Sequence, residues 1–169
     1  MIYPIVKYGR EVLEKPGNPI REFNGSLEKL VADMFETMYA ANGVGLAAPQ
    51  IGLSLRLCVI DVTSGEDPNA KLVLANPVIM TTEGEQTQEE GCLSLPEFRA
   101  KTPRPVRVTV RAQDMHGQEF TTTGEGLLAR ALCHETDHLN GKLFIQHVGR
   151  LKRESIQRRI RKMVKAGEW

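Results

Sequence analysis

Residues 125–141 read EGLLARALCHETDHLNG, and this stretch decides the fold because it combines a helical apolar pattern with two closely spaced histidines. Apolar residues recur at the spacing of one helix face: Leu127, Leu128, Ala131, Leu132 and Leu139. Gly141 follows, and glycine commonly ends helices because it adopts left-handed dihedrals without strain. The stretch therefore predicts a helix over residues 125–139 that carries His134, Glu135 and His138.

The rest of the chain predicts strands before this helix, one helix ahead of those strands and one helix near the C-terminus. Strands are predicted where β-branched and apolar residues are dense, over residues 55–62, 71–80, 106–112 and 119–123. An apolar helical stripe from Leu27 to Tyr39 has Ser26 placed to cap it and Gly43 to end it. A basic helix is predicted from about 149 to 165. We therefore expect an α+β fold, with antiparallel strands packed around a central helix carrying the HExxH motif, and a C-terminal helix.

Composition limits the class of protein. A chain of 169 residues with 41% apolar residues can bury one core, so we expect a single catalytic domain over residues 1–169. Lys and Arg number 22 against 21 Asp and Glu, a balance that gives no reason to expect DNA as a partner. No apolar run approaches the roughly 18 residues of a membrane span, and no secretory signal opens the chain. Three cysteines make a disulfide framework improbable, and we expect a cytoplasmic monomer with no membrane partner.

The two histidines of the motif are spaced to share one metal ion. His134 and His138 stand four residues apart and project from the same helix face. Glu135 lies about 100° around the helix, where its carboxylate can reach a metal-activated water rather than the ion. Hydrolysis of a carbonyl compound needs both groups: a metal ion that activates water and a carboxylate that accepts the proton of that water. The alternative is a chance occurrence of the short pattern on a surface helix.

A third ligand must come from elsewhere in the chain. Metzincin peptidases place a histidine where this sequence has Phe144, so that class is excluded. Glu154 could serve as in gluzincins, but it stands among basic residues and is better explained by solvated ion pairs. Cys92 is preferred because it lies in the sequence Glu-Gly-Cys-Leu-Ser over residues 90–94, where Gly91 permits close backbone approach.

The ligand set limits the choice of metal. One thiolate and two imidazoles suit Fe(II), Zn(II), Co(II) or Ni(II), and three protein ligands leave a fourth position open, as in catalytic sites. Two alternatives stay open: Cys92 as a buried structural thiol, and a closed structural site completed by Cys133. Cys58 lies within a predicted strand and is expected in the core.

Three segments together resemble the peptide deformylase family. They are GVGLAAPQ at residues 43–50, EGCLS at residues 90–94 and HETDH at residues 134–138, and their order and spacing match along nearly the whole chain. The resemblance implies removal of the N-formyl group from the N-terminal formylmethionine of newly made polypeptides, releasing formate, with Fe(II) as the usual metal.

The resemblance also implies roles for individual residues. The family's ligands fall on Cys92, His134 and His138, and its general base or acid falls on Glu135. The amide of Gln50 and the backbone N–H of Leu93 would stabilise the oxyanion of the tetrahedral intermediate. A general HExxH peptidase and a metal-stabilised RNA-binding module are the competing classes.

Substrate contacts are expected on both sides of the metal. Gly43 and Gly45 suit strained dihedrals or close approach, so an extended peptide could pair with residues 43–45 as an added strand. We expect Val44, Gly45, Gly91, Arg99, Leu127 and Arg130 among the substrate-binding residues. Arg130 and Cys133 depart from many family members, and Arg130 is expected to bury its stem and keep its charge in water at the pocket rim. A solvated surface arginine is an equal alternative for Arg99.

The last helix is strongly basic. Its cations are Arg150, Lys152, Arg153, Arg158, Arg159, Arg161, Lys162 and Lys165, against the single nearby acid Glu154. Such runs are usually solvated helix faces. Because the substrate would emerge from a phosphate-rich ribosome, docking to ribosomal RNA through this helix is a second hypothesis.

Overall fold

Two antiparallel sheets surround the helix with the HExxH motif in the computed structural model, which describes residues 1–169. The strands are β1 (Gly45–Ala47), β2 (Leu57–Ile60), β3 (Leu72–Glu83), β4 (Gln86–Cys92), β5 (Leu95–Arg104), β6 (Arg107–Gln113) and β7 (Glu119–Glu125). The α-helices are α1 (Gly25–Ala40), α2 (Leu127–Leu139) and α3 (Arg150–Lys165), with 3-10 helices at Glu11–Glu14, Ala48–Ile51 and Phe144–His147. Five strands form one sheet in the order β1-β2-β3-β6-β7, and β4 pairs with β5. The predicted α+β fold is confirmed.

Helix α2 lies against the five-stranded sheet through its apolar side. Leu132 is buried in one cluster with Val108 and Val110 of β6 and with Cys58 of β2, which is in the core as expected. Burying each such aliphatic side chain contributes about 1.5–3 kcal/mol. Because Leu132 precedes His134 by two residues, the two side chains point about 200° apart around the helix. Packing of one face on the sheet thus turns the histidine face away from it.

The β4–β5 hairpin is absent from the strands that the sequence predicts. Its first strand, QTQEEGC, is poor in strand-forming residues. The second contains Pro96 and Pro103, which cannot donate the backbone hydrogen bonds of a strand. The hairpin nevertheless pairs from Gln86 with Arg104 to Gly91 with Arg99. It matters for the site because its first strand ends at Cys92.

Local boundaries differ from the predictions at two helices. The Asn24 side chain accepts hydrogen bonds from the N–H groups of Ser26 (3.1 Å) and Leu27 (3.2 Å), so Asn24 is the cap and the prediction of Ser26 is wrong. Helix α2 begins two residues later than predicted, because Gly126 has φ 58° and ψ −122°, which are not helical. Strand β2 covers only Leu57–Ile60 of the predicted residues 55–62.

Helix α3 is fixed to the hairpin side of the molecule. Ile156 and Ile160 are buried in a cluster with Leu95 and Phe98 of β5 and with Phe144. The predicted basic helix is confirmed, and its apolar side belongs to the core. Among the helices of the chain, none is both long and apolar enough to cross a bilayer.

Candidate active site

Cys92, His134 and His138 bring one ligand atom each to the same place, with all three atoms within 4.8 Å of one another. Nε2 of His138 lies 3.2 Å from Nε2 of His134 and 3.4 Å from Sγ of Cys92. Metal–nitrogen bonds of about 2.0–2.1 Å and metal–sulfur bonds of about 2.3 Å at tetrahedral angles give separations of roughly 3.3 and 3.5 Å. The two separations from His138 therefore match those between neighbouring ligand atoms of a tetrahedral metal site.

The other positions considered for a third or fourth ligand do not add a donor atom to this group. Phe144 stacks on the His134 ring, with ring centroids 6.3 Å apart. Glu154 accepts a hydrogen bond of 3.0 Å from Arg150, as expected for an ion pair on the helix surface. Cys133 packs into the apolar cluster behind α2, where burial raises the pKa of its thiol to about 11. A closed four-ligand site has no support in this arrangement.

Glu90 is the buried partner of His134. Its carboxylate accepts from His134 Nδ1 at 2.6 Å, from Arg104 at 2.7 and 3.1 Å, and from Arg130 at 2.8 Å. Burial alone would raise the pKa of Glu90, but the hydrogen bonds from His134 and Arg104 outweigh it and hold the pKa well below its usual range. An ionised Glu90 keeps the proton on Nδ1, so Nε2 is free to bind metal.

The hydrogen bonds continue from Glu90 to the protein surface. Arg104 also donates to Asp137 Oδ2 at 2.7 Å, and Nε2 of the partly exposed His147 lies 2.8 Å from the same oxygen. Sequence reasoning assigned no role to these groups. The sequence could have pointed to Glu90 and Asp137, because each lies within two residues of a predicted ligand. Nothing in the sequence pointed to Arg104 or His147.

Glu135 is a buried carboxylate beside the triad. Its Oε1 has no hydrogen-bond partner, and its Oε2 lies 4.0 Å from Nε2 of His134. Burial raises the pKa of Glu135 to about 7, against the lowering effect of the nearby His134. A carboxyl group with this pKa can both take up and release a proton near neutral pH.

Gly45 makes room for this carboxylate. A Cβ atom at Gly45 would lie 2.5 Å from Oε2 of Glu135, and one at Gly43 would lie 2.8 Å from Cδ1 of Leu93. Neither glycine has a positive φ. The reason for glycine at both positions is therefore close approach, and the expected strained dihedrals are not found.

Gln50 and Leu93 lie beside the Cys92 ligand. The Gln50 side chain is buried, and its Oε1 accepts from the Ala47 N–H at 3.0 Å. That bond turns the amide so that Nε2 lies 3.6 Å from Cys92 Sγ and 3.2 Å from Ser94 Oγ. Leu93 follows Cys92 in the turn between β4 and β5.

A cleft of about 490 Å³ opens at these groups. It is bordered by two edge strands, β1 of the large sheet and β4 of the hairpin. All of the expected substrate-binding residues line it, namely Val44, Gly45, Gly91, Arg99, Leu127 and Arg130. The cleft has the free strand edges that an extended peptide can pair with.

The two arginines of the cleft differ in their surroundings. Arg130 is buried and donates to Glu90 at 2.8 Å and to the Thr102 carbonyl at 3.0 Å. The expectation that its charge lies in water is wrong, because the ionised Glu90 offers a buried partner for the guanidinium. Arg99 is 62% exposed, and its Nε lies 3.9 Å from Glu89 Oε2.

A triad of one thiol and two imidazoles, with a proton-accepting carboxylate beside it, defines a metal-dependent hydrolase of the HExxH class. The family model described as polypeptide deformylase matches residues 2–154. A peptide deformylase of Acidobacterium capsulatum is 57% identical over 169 residues, covering 100% of this chain and 99% of that protein. The chain belongs to the polypeptide deformylase family.

Solved structures agree with this assignment. A peptide deformylase from Legionella pneumophila superimposes with a TM-score of 0.91 at 46% identity, covering 99% of this chain and 98% of that one. The enzyme from Thermus thermophilus gives 0.91 at 41% identity with the same coverage. The family is metal-dependent, in keeping with the triad.

Proposed function

We propose that this chain hydrolyses the N-formyl group from the N-terminal formylmethionine of newly made polypeptides and releases formate. The observation that carries the proposal is the convergence of Cys92, His134 and His138 beside the buried Glu135. The cleft at this point borders two strand edges, so the end of an extended chain can enter it.

Cys92, His134 and His138 would hold one divalent ion, physiologically Fe(II), with Zn(II), Ni(II) and Co(II) also accepted by this donor set. When bound, the ion supplies a Lewis acid for the formyl oxygen and lowers the pKa of a bound water. The hydrogen bond from His134 Nδ1 to Glu90 supports this role, because it fixes the ring that must present Nε2.

Glu135 would move the protons of the reaction. Hydrolysis adds the oxygen of water to the formyl carbon and breaks the C–N bond, and the leaving amine gains a proton. Glu135 takes a proton from the attacking water and gives it to that amine. Its free Oε1 and its pKa of about 7, raised by burial, support both steps.

Gln50 and Leu93 would stabilise the negative oxygen that forms in the transition state. The Gln50 amide is already oriented by the Ala47 N–H, so it needs no rearrangement to donate. The backbone N–H of Leu93 adjoins the Cys92 ligand and adds a second donor. Losing one donor of this kind costs about 2.7–4 kcal/mol of barrier.

The substrate chain would lie between β1 and β4. Pairing with Val44, Gly45 and Gly91 would involve only main-chain groups of the substrate. It would therefore tolerate many side chains after the first residue. The methionine side chain would contact Leu127 and the buried stem of Arg130, and the exposed Arg99 would contact the peptide farther along.

A formate assay tests this function against the general peptidase alternative. The substrates are formyl-Met-Ala-Ser amide and its acetyl analogue. We expect one formate per formyl peptide consumed, little hydrolysis of the acetyl analogue because its methyl group crowds the site, and no cleavage between amino acids. Cleavage of an interior bond without formate would contradict the proposal and favour the peptidase.

Docking to the ribosome is proposed for one face of α3. Arg158, Arg161, Lys162 and Lys165 are exposed, recur at helical spacing and form no ion pair, whereas Arg159 stacks over Phe98 at 4.9 Å. Deleting α3 would remove the buried Ile156 and Ile160, so charge substitutions are the better test. The four substitutions to Gln should reduce co-sedimentation with ribosomes at low salt. Unchanged co-sedimentation would reject docking through this face.

The cellular setting follows from the same proposal. We propose a single catalytic domain over residues 1–169 that acts as a cytoplasmic monomer. All three cysteines are free, which supports a reducing compartment.

A further inference from the structure

A second cavity of about 360 Å³ adjoins the active-site cleft. Glu89 and Arg99 line both, so the two spaces meet at these side chains on the exposed face of the β4–β5 hairpin. The other wall comprises Lys101 and Ala100 of β5, with Val148, Gly149 and Lys152 at the start of α3. We call this space the distal cavity.

The charge around the distal cavity is positive and largely unpaired. Arg99, Lys101 and Lys152 face a single acid, Glu89. Glu89 lies 3.9 Å from Arg99, at the outer limit of an ion pair, while neither Lys101 nor Lys152 forms an ion pair within the chain. Three cations around one carboxylate leave a net attraction for an added anion.

The neighbouring end of α3 adds to this field. Gly149 caps the helix without a side-chain hydrogen bond, and the first turn contains no acidic residue. The 16-residue helix therefore directs its positive end, unneutralised, toward the cavity that Gly149 lines.

We propose that the distal cavity binds an acidic side chain of the substrate peptide, beyond the residues that lie in the cleft. This inference rests on the proposed deformylation. Gly91 borders the cleft and Glu89 lies two residues farther along β4 toward the distal cavity. An extended peptide advances about 3.3 Å per residue, in step with that strand. With its first residue beside Gly91, its third lies beside Glu89, which borders both spaces, so the cavity beyond Glu89 is reached by the side chain of about the fourth or fifth residue.

A peptide is a better occupant than a ribosomal phosphate. The distal cavity adjoins the cleft in which the peptide must lie, whereas Arg158, Arg161, Lys162 and Lys165 sit about two to four turns farther along α3. A carboxylate delivered by the bound peptide also loses little additional freedom, because its chain is already held.

The experiment compares formyl-Met pentapeptide amides that carry Glu or Gln at position four or five. At low salt we expect kcat/KM to be roughly 2- to 5-fold higher for Glu, the range of an exposed ion pair. The Lys101→Gln, Lys152→Gln double variant should lose this preference. Its kcat/KM for formyl-Met-Ala amide, which is too short to reach the cavity, should not change.

Lys165→Gln is the matched control, because it removes a lysine at the far end of the same helix and should keep the preference. Equal kcat/KM for the Glu and Gln peptides, or a preference that survives in the double variant, would overturn the inference. A double variant that loses only ribosome co-sedimentation would assign the lysines to RNA instead. Failure of the proposed function itself looks different, since formyl-Met-Ala amide would then yield no formate with the wild-type protein.

Discussion

Nδ1 of His134 lies 2.6 Å from Oε2 of Glu90, so an acid of the hairpin fixes the ring of a ligand on the central helix. Glu90 stands two residues before Cys92 on the same strand. One strand therefore supplies both a ligand and the group that orients another ligand. The hairpin and helix α2 must be docked correctly before the site exists.

Glu90→Gln should weaken metal binding about 10- to 100-fold, the usual cost of losing the outer partner of a ligating histidine. The amide cannot keep His134, Arg104 and Arg130 paired as the carboxylate does. Competition between a chelator and the protein for Co(II), followed by its absorption spectrum, measures the affinity. Glu89→Gln, an exposed neighbour, is the control and should bind Co(II) normally. Equal affinity in the two variants would show that the Glu90 contact is not important.

Glu135→Gln should leave metal content near one ion per chain but reduce turnover about 100- to 10,000-fold, the range for a lost general base. The amide fills the same space and cannot accept the proton. Elemental analysis and the formate assay on the same sample separate the two effects. A metal-loaded variant with normal turnover would remove Glu135 from the mechanism.

Gly45→Ala should reduce turnover about 100-fold by displacing the Glu135 carboxylate, since small misplacements of reacting groups have effects of that size. The added Cβ would lie 2.5 Å from Oε2 of Glu135. Gly25→Ala is the control because a Cβ there meets nothing within 4 Å. If both variants were equally active, the tight fit of β1 against Glu135 would be irrelevant to catalysis.

Asp61→Asn should destabilise the protein most at neutral pH. The buried Asp61 carboxylate accepts hydrogen bonds from Tyr39, Thr63 and Gly65, which outweigh burial and lower its pKa. A lowered folded-state pKa gives stability that is present above the unfolded value of about 3.9 and is lost as the pH falls through the folded value. We expect a loss of about 1.5–3 kcal/mol at pH 7.

Urea unfolding of the wild type and Asp61→Asn from pH 7 to pH 3 tests this dependence. The difference in free energy should shrink below about pH 4. A difference that is constant over the whole range would mean that the charge of Asp61 contributes nothing. Asp61 also stabilises the substrate-binding edge of the cleft, because its backbone N–H donates to the Val44 carbonyl at 2.8 Å.

The motif helix and the triad were the most predictable parts of the molecule. Residues 125–141 contain the helical period, the stop at Gly141 and both histidines in one stretch, so local rules suffice. The ligand chemistry of Cys92 and its neighbouring glycine predict it as the third ligand. The structure brings it to the two histidines from 42 or more positions away.

The polar shell around the triad could not be predicted. Arg104 reaches Glu90 across 14 positions and Arg130 reaches it across 40, in pairings that no local pattern encodes. Arginine is also rarely buried, so the general tendency placed Arg130 in water. Strand propensity does not predict the hairpin, whose residues Ala100, Thr102 and Arg104 are buried and contact distant parts of the chain.

Formate release by the metal-free and metal-restored protein tests the account most directly. The protein is stripped with a chelator under anaerobic conditions, divided, and assayed on formyl-Met-Ala-Ser amide with and without one equivalent of Fe(II), with Cys92→Ala treated in parallel. We predict no formate without metal, full recovery with Fe(II), and no recovery in Cys92→Ala. Undiminished formate release by the stripped protein, or recovery in Cys92→Ala equal to wild type, would contradict it.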